Sequence, residues 1–168
     1  MNNSLLLNSV RFVVLLFAQV LVFDNILLFG FINPYVYLLF IILFPIKDSQ
    51  SSLLIFSFLL GLSIDFFNDS GGMHAAACTA VAYVRPYILK FSFGISYEYN
   101  TIKVSNTPFD RRFTYIAQLV FLHHFILFFL EVFNVQHLLF VLKSTLFSGI
   151  FTLVLCMLLM ALFGKNSS

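Results

Sequence analysis

Charged residues are scarce in this chain: Asp, Glu, Lys and Arg together make up 10% of its 168 residues, against roughly 25% in ordinary soluble domains. The mean hydropathy is +1.00. A soluble chain of this length could not hide so much apolar surface, because its surface-to-volume ratio is too high. The composition therefore excludes an ordinary soluble domain and predicts a protein whose solvent is lipid.

Cysteine and catalytic motifs are also sparse. Cys78 and Cys156 lie inside apolar runs, where we expect free thiols that act as small hydrophobes and no disulfide. No zinc-type ligand spacing, phosphate-cradling loop or nucleophile beside a general base is recognisable. We therefore expect no metal, no cofactor and no enzymatic activity. The net charge of only +2 also argues against a nucleic-acid partner.

The apolar runs are too long for the alternating strands of a membrane barrel, which leaves helices as the way to satisfy the backbone in hydrocarbon. We predict an all-α integral membrane protein, a single transmembrane domain over residues 1–168 that forms a bundle of six helices. The second and third runs are shorter than the roughly 20 residues of a perpendicular span. The six spans are predicted at about 10–29, 34–46, 51–67, 73–92, 114–133 and 138–163.

Basic residues predict how the bundle is oriented, since Lys and Arg concentrate on the cytoplasmic side. Lys143 is the exception, and Arg85 lies in the half of the fourth span nearest that side. We therefore expect both termini, the 46–51 turn and the long 93–112 loop in the cytoplasm. The other basic residues all fall at that set of alternating ends: Arg11, Lys47, Lys90, Lys103, Arg111, Arg112 and Lys165.

A distinctive corner joins the third and fourth spans. Ser57, Gly61 and Asp65 are spaced by four, so they share one helix face, and small residues at that spacing let a second helix approach closely. Gly72 belongs to a Gly-Gly pair that permits a tight turn. We expect Asp65 to hold the corner by bonding loop amides or His74. The alternative is that this carboxylate only marks the water interface.

Two cations lie well inside predicted spans. Arg85 precedes Pro86, a residue that tends to kink a helix. We expect the Arg85 side chain to extend towards the cytoplasm, with an internal anchor as the alternative. Lys143 departs from the charge rule, and a lone membrane cation is costly. We therefore expect an acidic partner for Lys143 among Asp24, Asp65 and Glu131, and we predict a buried ion pair with Glu131. A transport site is the alternative.

Histidines and an acidic residue recur in the fifth span, where His123, His124 and Glu131 suggest a metal site or a proton relay. A zinc site needs three or four converging ligands, and the spacing of these three residues is not that of a known metal motif. We expect the two histidines to pack, or to form hydrogen bonds, across the bundle.

The corner resembles the bacterial rod shape-determining protein family MreD. The resemblance rests on the Gly-Leu-x-x-Asp-Phe pattern from Gly61 to Phe66, a short polar loop and the Gly-x-His pattern from Gly72 to His74. It covers about residues 30–90, including a short segment between two prolines. Ser57 stands where that family often has glycine, which is a departure. Only Gly61, Asp65, Gly72 and His74 carry over, and the family assigns them no chemistry.

The resemblance implies a non-catalytic scaffold subunit of the cell-elongation machinery in the bacterial cytoplasmic membrane. Its expected partners are the bitopic protein MreC, the membrane peptidoglycan polymerase with its transpeptidase, and the cytoskeletal MreB through the complex. The 34–46 segment and the small-residue stripes are predicted as lateral docking surfaces. The 93–112 loop is the only loop long enough to carry a docking segment.

A vitamin-binding protein is the alternative. The MreD family is similar in fold to the substrate-binding components of energy-coupling-factor transporters, and this chain matches their size and helix number. Those components present an Ala-xxx-Ala-type stripe on the first helix, whereas the first span here has only Ala18. The outer loop from Gly30 to Pro34 is also short for a ligand lid. Both observations favour the scaffold.

Overall fold

The computed structural model describes residues 2–26, 28, 30, 32–94 and 104–164, and within these ranges the chain is helical, without a β-strand. Leu28 and Ile32 form an isolated antiparallel bridge. Short 3-10 turns occupy residues 23–25, 36–38, 104–106 and 135–137. The α-helices are α1 (Asn2–Leu21), α2 (Leu39–Leu43), α3 (Gln50–Asn68), α4 (Met73–Phe93), α5 (Phe109–Val132) and α6 (Leu138–Gly164).

Four stretches are long and apolar enough to cross a membrane, as expected of an integral membrane protein: Leu6–Asn25, Gln50–Asn68, Phe109–Val132 and Leu138–Leu162. Helix α4 has 21 residues, which is long enough, but His74, Arg85 and Lys90 reduce its apolarity. Helix α2 has only five residues and cannot span a bilayer by itself. The six-span arrangement therefore remains a prediction.

The segment between the two prolines, residues 34–46, lies at the centre of the bundle, and we call it the central segment. It contains a 3-10 turn followed by α2, where the sequence predicted one short continuous helix. Every residue from Val36 to Ile42 is at most 4% exposed. The prediction that this segment is a lateral docking surface is therefore wrong, because neighbouring helices cover it.

Helices α3 and α4 form a close hairpin. The hydroxyl of Ser49 accepts a hydrogen bond from the amide of Ser52 (3.2 Å) and caps the start of α3, which satisfies one of the free N–H groups at a helix N-terminus. Helix α4 continues through Pro86, although proline leaves the carbonyl four residues earlier without its helical donor. That carbonyl, on Ala82, accepts from the side-chain amide of Gln50 at 2.9 Å.

Helix α6 packs on α5 through a small residue. A Cβ atom placed on Gly149 would lie 2.8 Å from the ring of Phe121, so glycine is what allows the ring to sit against the helix. Cys156 in α6 and Cys78 in α4 are both buried free thiols, as predicted from their apolar surroundings.

Residues 95–103 of the predicted 93–112 loop, including Lys103, lie outside the described residues, and so does Lys165. The described end of the loop packs on the bundle: Val104 is buried, and Arg112 donates to the carbonyl of Ser105 at 2.9 Å. This end of the loop is therefore part of the folded bundle.

Candidate functional site

The corner between α3 and α4 is organised by one buried carboxylate. Oδ1 of Asp65 accepts from the amide of His74 at 2.9 Å and from the hydroxyl of Ser70 at 2.6 Å. Oδ2 accepts from the amide of Ala75 at 2.8 Å. The first N–H groups of a helix have no partner within the helix, and negative charge is favourable there. Asp65 thus caps α4 from the neighbouring helix, which is the role expected from the sequence.

Two glycines give the corner its shape. A Cβ atom on Gly61 would lie 2.5 Å from both the Cα of Ala75 and the carbonyl oxygen of His74, so no larger residue fits without separating the helices. Gly72 has a φ of 94°, a left-handed conformation that L side chains rarely adopt. The four residues of the motif, Gly61, Asp65, Gly72 and His74, therefore meet in one structural unit.

His74 connects this corner to the central segment. The hydroxyl of Tyr37 lies 2.8 Å from Nδ1 of His74 and 2.9 Å from Nε2 of His123, and all three side chains are buried. A tyrosine hydroxyl has one proton and can also accept. It therefore donates to one imidazole and accepts from the other, so the tyrosine ties α4 to α5 through the bundle centre.

His124 forms a second link around Tyr35. Nδ1 of His124 donates to the carbonyl of Val120 at 2.8 Å, which leaves Nε2 to accept from the hydroxyl of Thr152 at 3.1 Å in the neutral ring. The same hydroxyl oxygen accepts from the amide of Tyr35 at 3.0 Å. The ring of Tyr35 lies 5.3 Å from that of His124. Both histidines thus bond across the bundle, as expected from the sequence.

A metal or proton-relay cluster of His123, His124 and Glu131 does not form, because the glutamate is exposed while both histidines are buried. Among the described residues, no three His, Cys, Asp or Glu side chains converge in a way that could hold a metal ion. The buried imidazoles instead help to hold the central segment: His123 bonds to Tyr37, and His124 bonds to Thr152, which accepts from the amide of Tyr35.

Arg85 corrects one expectation. Its side chain is 3% exposed and does not extend to the surface of the bundle. Its guanidinium donates to the carbonyl of Phe44 at 2.6 Å, to that of Ile42 at 3.4 Å and to the hydroxyl of Tyr115 at 2.8 Å. The tyrosine in turn donates to the carbonyl of Ile42 at 3.2 Å. The two carbonyls lie at the C-terminal end of α2 and have no helical donors. Arg85 is therefore an internal anchor for the central segment.

Gln19 of α1 is the corresponding residue at the other end of the central segment. Its Oε1 accepts from the amides of Val36 at 2.8 Å and Tyr37 at 3.3 Å. Its Nε2 donates to the carbonyl of Pro34 at 3.0 Å and to Asp24 at 2.7 Å. Sequence reasoning missed this residue, and the only signal was an amide in the middle of the most apolar part of α1.

The Lys143–Glu131 ion pair predicted from the sequence is not formed. Both side chains are exposed on the outside of the bundle, and neither makes an ion pair with any described residue. They lie on neighbouring helices, α6 and α5, but on faces that turn away from the core. The prediction assumed that a cation at this depth must point inward, whereas Lys143 lies on the outer surface.

No protein-family model, curated protein or solved structure matches this chain. A function is therefore proposed below from the sequence resemblance of the corner together with the geometry of the corner and of the central segment.

Proposed function

We propose that this chain is a non-catalytic scaffold of the MreD type, which serves the cell-elongation machinery in the bacterial cytoplasmic membrane. The corner carries the proposal. The residues that make the sequence resemble MreD, namely Gly61, Asp65, Gly72 and His74, form one interdependent unit in which a close helix contact, a buried helix cap and a tight turn coincide. Such a unit gives the short motif a structural role that requires no chemistry.

The six-span topology of the sequence analysis is part of this proposal. Helices α1, α3, α4, α5 and α6 would each cross the bilayer, and the central segment would return through the protein interior. Non-helical backbone is tolerated at membrane depth when protein surrounds it. The basic residues would place both termini in the cytoplasm.

A scaffold also fits the filled centre of the bundle. A vitamin-binding component needs an internal pocket, whereas the space between these helices is occupied by the central segment, with Tyr37, Leu38 and Ile41 fully buried. Polar side chains bind both ends of that segment. The bundle therefore resembles a rigid platform, and its partners would dock on the outer helix faces.

The first test is association. Tagged protein, expressed in its native host and extracted in mild detergent, is expected to copurify with an MreC-like bitopic protein. An adjacent MreC-like reading frame would support the same conclusion. Deletion of the gene is expected to change cell width or length. Normal cell shape after deletion, or tight binding of a vitamin by the purified protein, would contradict the proposal.

The second test connects the corner to that role. Asp65→Asn is expected to weaken shape rescue in the deletion strain, because its NH2 group is a donor and replaces one of the two oxygens that accept from the α4 amides. Asp69→Asn is the matched control, since Asp69 is exposed and has a left-handed backbone conformation that Asn tolerates. Membrane abundance of each variant is measured by immunoblot, so that loss of protein is separated from loss of function.

A further inference from the structure

A groove with a volume of about 570 Å³ runs between α1 and α6, with the central segment as its floor. This volume lies within the range of about 300–1,000 Å³ typical of small-molecule sites. Most of the lining is aliphatic, whereas Arg11 and Ser105 contribute its polar groups. The aliphatic lining includes Val14, Leu15, Ala18, Leu39, Leu159 and Met160. The groove thus combines a long apolar wall with a cation.

The groove is longer than one leaflet of hydrocarbon and shorter than a whole bilayer. Its wall from Val10 to Phe23 rises about 20 Å at 1.5 Å per residue, whereas half of the hydrocarbon core is about 15 Å. A transmembrane helix of a partner would need a surface about 30 Å long. The α1 helix is also the least covered of the four candidate spans, so the groove is open to the surrounding lipid. Its dimensions favour a lipid chain over a helix.

Arg11 places a positive charge at one end of the groove. Its Nη1 donates to the carbonyl of Leu43 at 3.4 Å, which uses one of the five N–H donors of the guanidinium. It forms no ion pair within the described part of the chain, and its side chain is half-buried at the wall of the groove. A guanidinium binds phosphate through paired hydrogen bonds, so an anionic headgroup complements this end of the groove.

We infer that the groove binds one anionic phospholipid, with an acyl chain along α1 and α6 and the headgroup phosphate at Arg11. The lipid covers the exposed wall of α1 and fills the space that separates α1 from α6. This inference does not depend on the scaffold role, since it rests on the shape and charge of the groove alone.

The test is native mass spectrometry of the full-length protein released from nanodiscs that contain equal amounts of phosphatidylglycerol and phosphatidylcholine. The wild type is expected to retain one phosphatidylglycerol in preference to phosphatidylcholine. Arg11→Gln is expected to reduce this preference about fivefold, the contribution of one basic residue near an anionic surface. Arg11→Lys keeps the charge and is expected to retain most of the preference.

Two further variants make the test specific. Ala18→Trp fills the groove and is expected to abolish lipid retention, with an unchanged circular dichroism spectrum as evidence of folding. Lys143→Gln removes an exposed cation outside the groove and is expected to leave retention unchanged. Equal retention of the two lipids by the wild type, or full retention by Ala18→Trp, would overturn the inference. Loss of a copurifying protein with Ala18→Trp, while lipid retention persists, would assign the groove to a protein partner instead.

Discussion

Asp65 and Arg85 are two buried charges that solve the same problem at opposite helix ends. The Asp65 carboxylate accepts from free N–H groups at the start of α4, whereas the Arg85 guanidinium donates to free carbonyls at the end of α2. Each charge has the sign that the helix end favours. Neither charge needs an oppositely charged side chain, because the backbone supplies the complementary partial charges.

The two residues differ in how far along the chain they reach. Asp65 binds residues 9 and 10 positions away, so it closes a local hairpin. Arg85 binds residues 41 and 43 positions away, so it attaches the central segment to α4. One charge therefore shapes a supersecondary unit, and the other assembles the tertiary fold.

The largest effect is expected at Asp65. Asp65→Ala removes three hydrogen bonds to a charged acceptor, and each such bond is worth about 1.5–3 kcal/mol. Since water replaces some of them beside the exposed turn, we expect the free energy of unfolding to fall by about 4 kcal/mol. SDS titration in mixed micelles measures the change. A loss below about 1 kcal/mol would show that the carboxylate only marks the water interface.

Arg85→Leu is expected to be next, because it leaves the carbonyl of Phe44 without a donor inside the bundle. An orphaned buried polar group costs about 1–3 kcal/mol, and we expect a loss of about 3 kcal/mol. Arg85→Lys keeps the charge but cannot reproduce the planar fork, so an intermediate loss is expected in the same titration. Stability equal to the wild type in Arg85→Leu would mean that the central segment is held by packing alone.

A double variant tests whether the two charges act independently. Asp65 binds the amide of His74 in α4, and His74 lies about 16 Å from Arg85 along that helix. Changes at such distances usually add within about 0.5 kcal/mol. The milder pair Asp65→Asn and Arg85→Lys keeps the protein folded for this measurement. A coupling energy above about 1 kcal/mol would show that the corner and the central segment respond as one unit.

Gln19→Leu is expected to cost about 2 kcal/mol, since it leaves the amide of Val36 and the carbonyl of Pro34 without partners in the core. Gln118→Leu is the matched control, because Gln118 is half-buried in α5 and makes no hydrogen bond to a described residue. Thermal unfolding in detergent, followed by circular dichroism, compares the two. Equal midpoints would contradict the role given to Gln19.

Lys143→Gln is expected to have the smallest effect, within about 0.5 kcal/mol. Lys143 lies only about 8 Å along α6 from Leu138, where a lysine side chain can extend its ammonium group to the membrane interface. Glu131→Gln is expected to change the free energy of unfolding by an equally small amount. A double-mutant cycle on this pair measures any coupling directly, and a coupling energy above about 1 kcal/mol would restore the ion pair that the sequence suggested.

The sequence predicted the features that depend on neighbouring residues. Helix α3, the Gly-Gly turn and Asp65 at the corner are local, so their spacing alone indicated the hairpin. The composition indicated membrane helices for the same reason, since a span is a property of one continuous run.

The central segment was harder to predict, because its conformation depends on side chains from other parts of the chain. Gln19 and Arg85 come from α1 and α4, and no spacing in the sequence relates them to residues 34–46. Without such partners, a mostly apolar run of this length resembles a short span. The outward orientation of Lys143 was missed because hydropathy does not report which face of α6 packs inward.

The hydrogen bond from Gln50 to the carbonyl that Pro86 leaves free has an evolutionary consequence. The donor is useful only where the acceptor is unoccupied, so the two positions depend on each other across the hairpin. In relatives of this chain, we expect a non-proline residue at position 86 to coincide with loss of the amide at position 50. Positions 50 and 86 would then covary between α3 and α4. Position 61 is expected to keep a small residue, because it lies against α4.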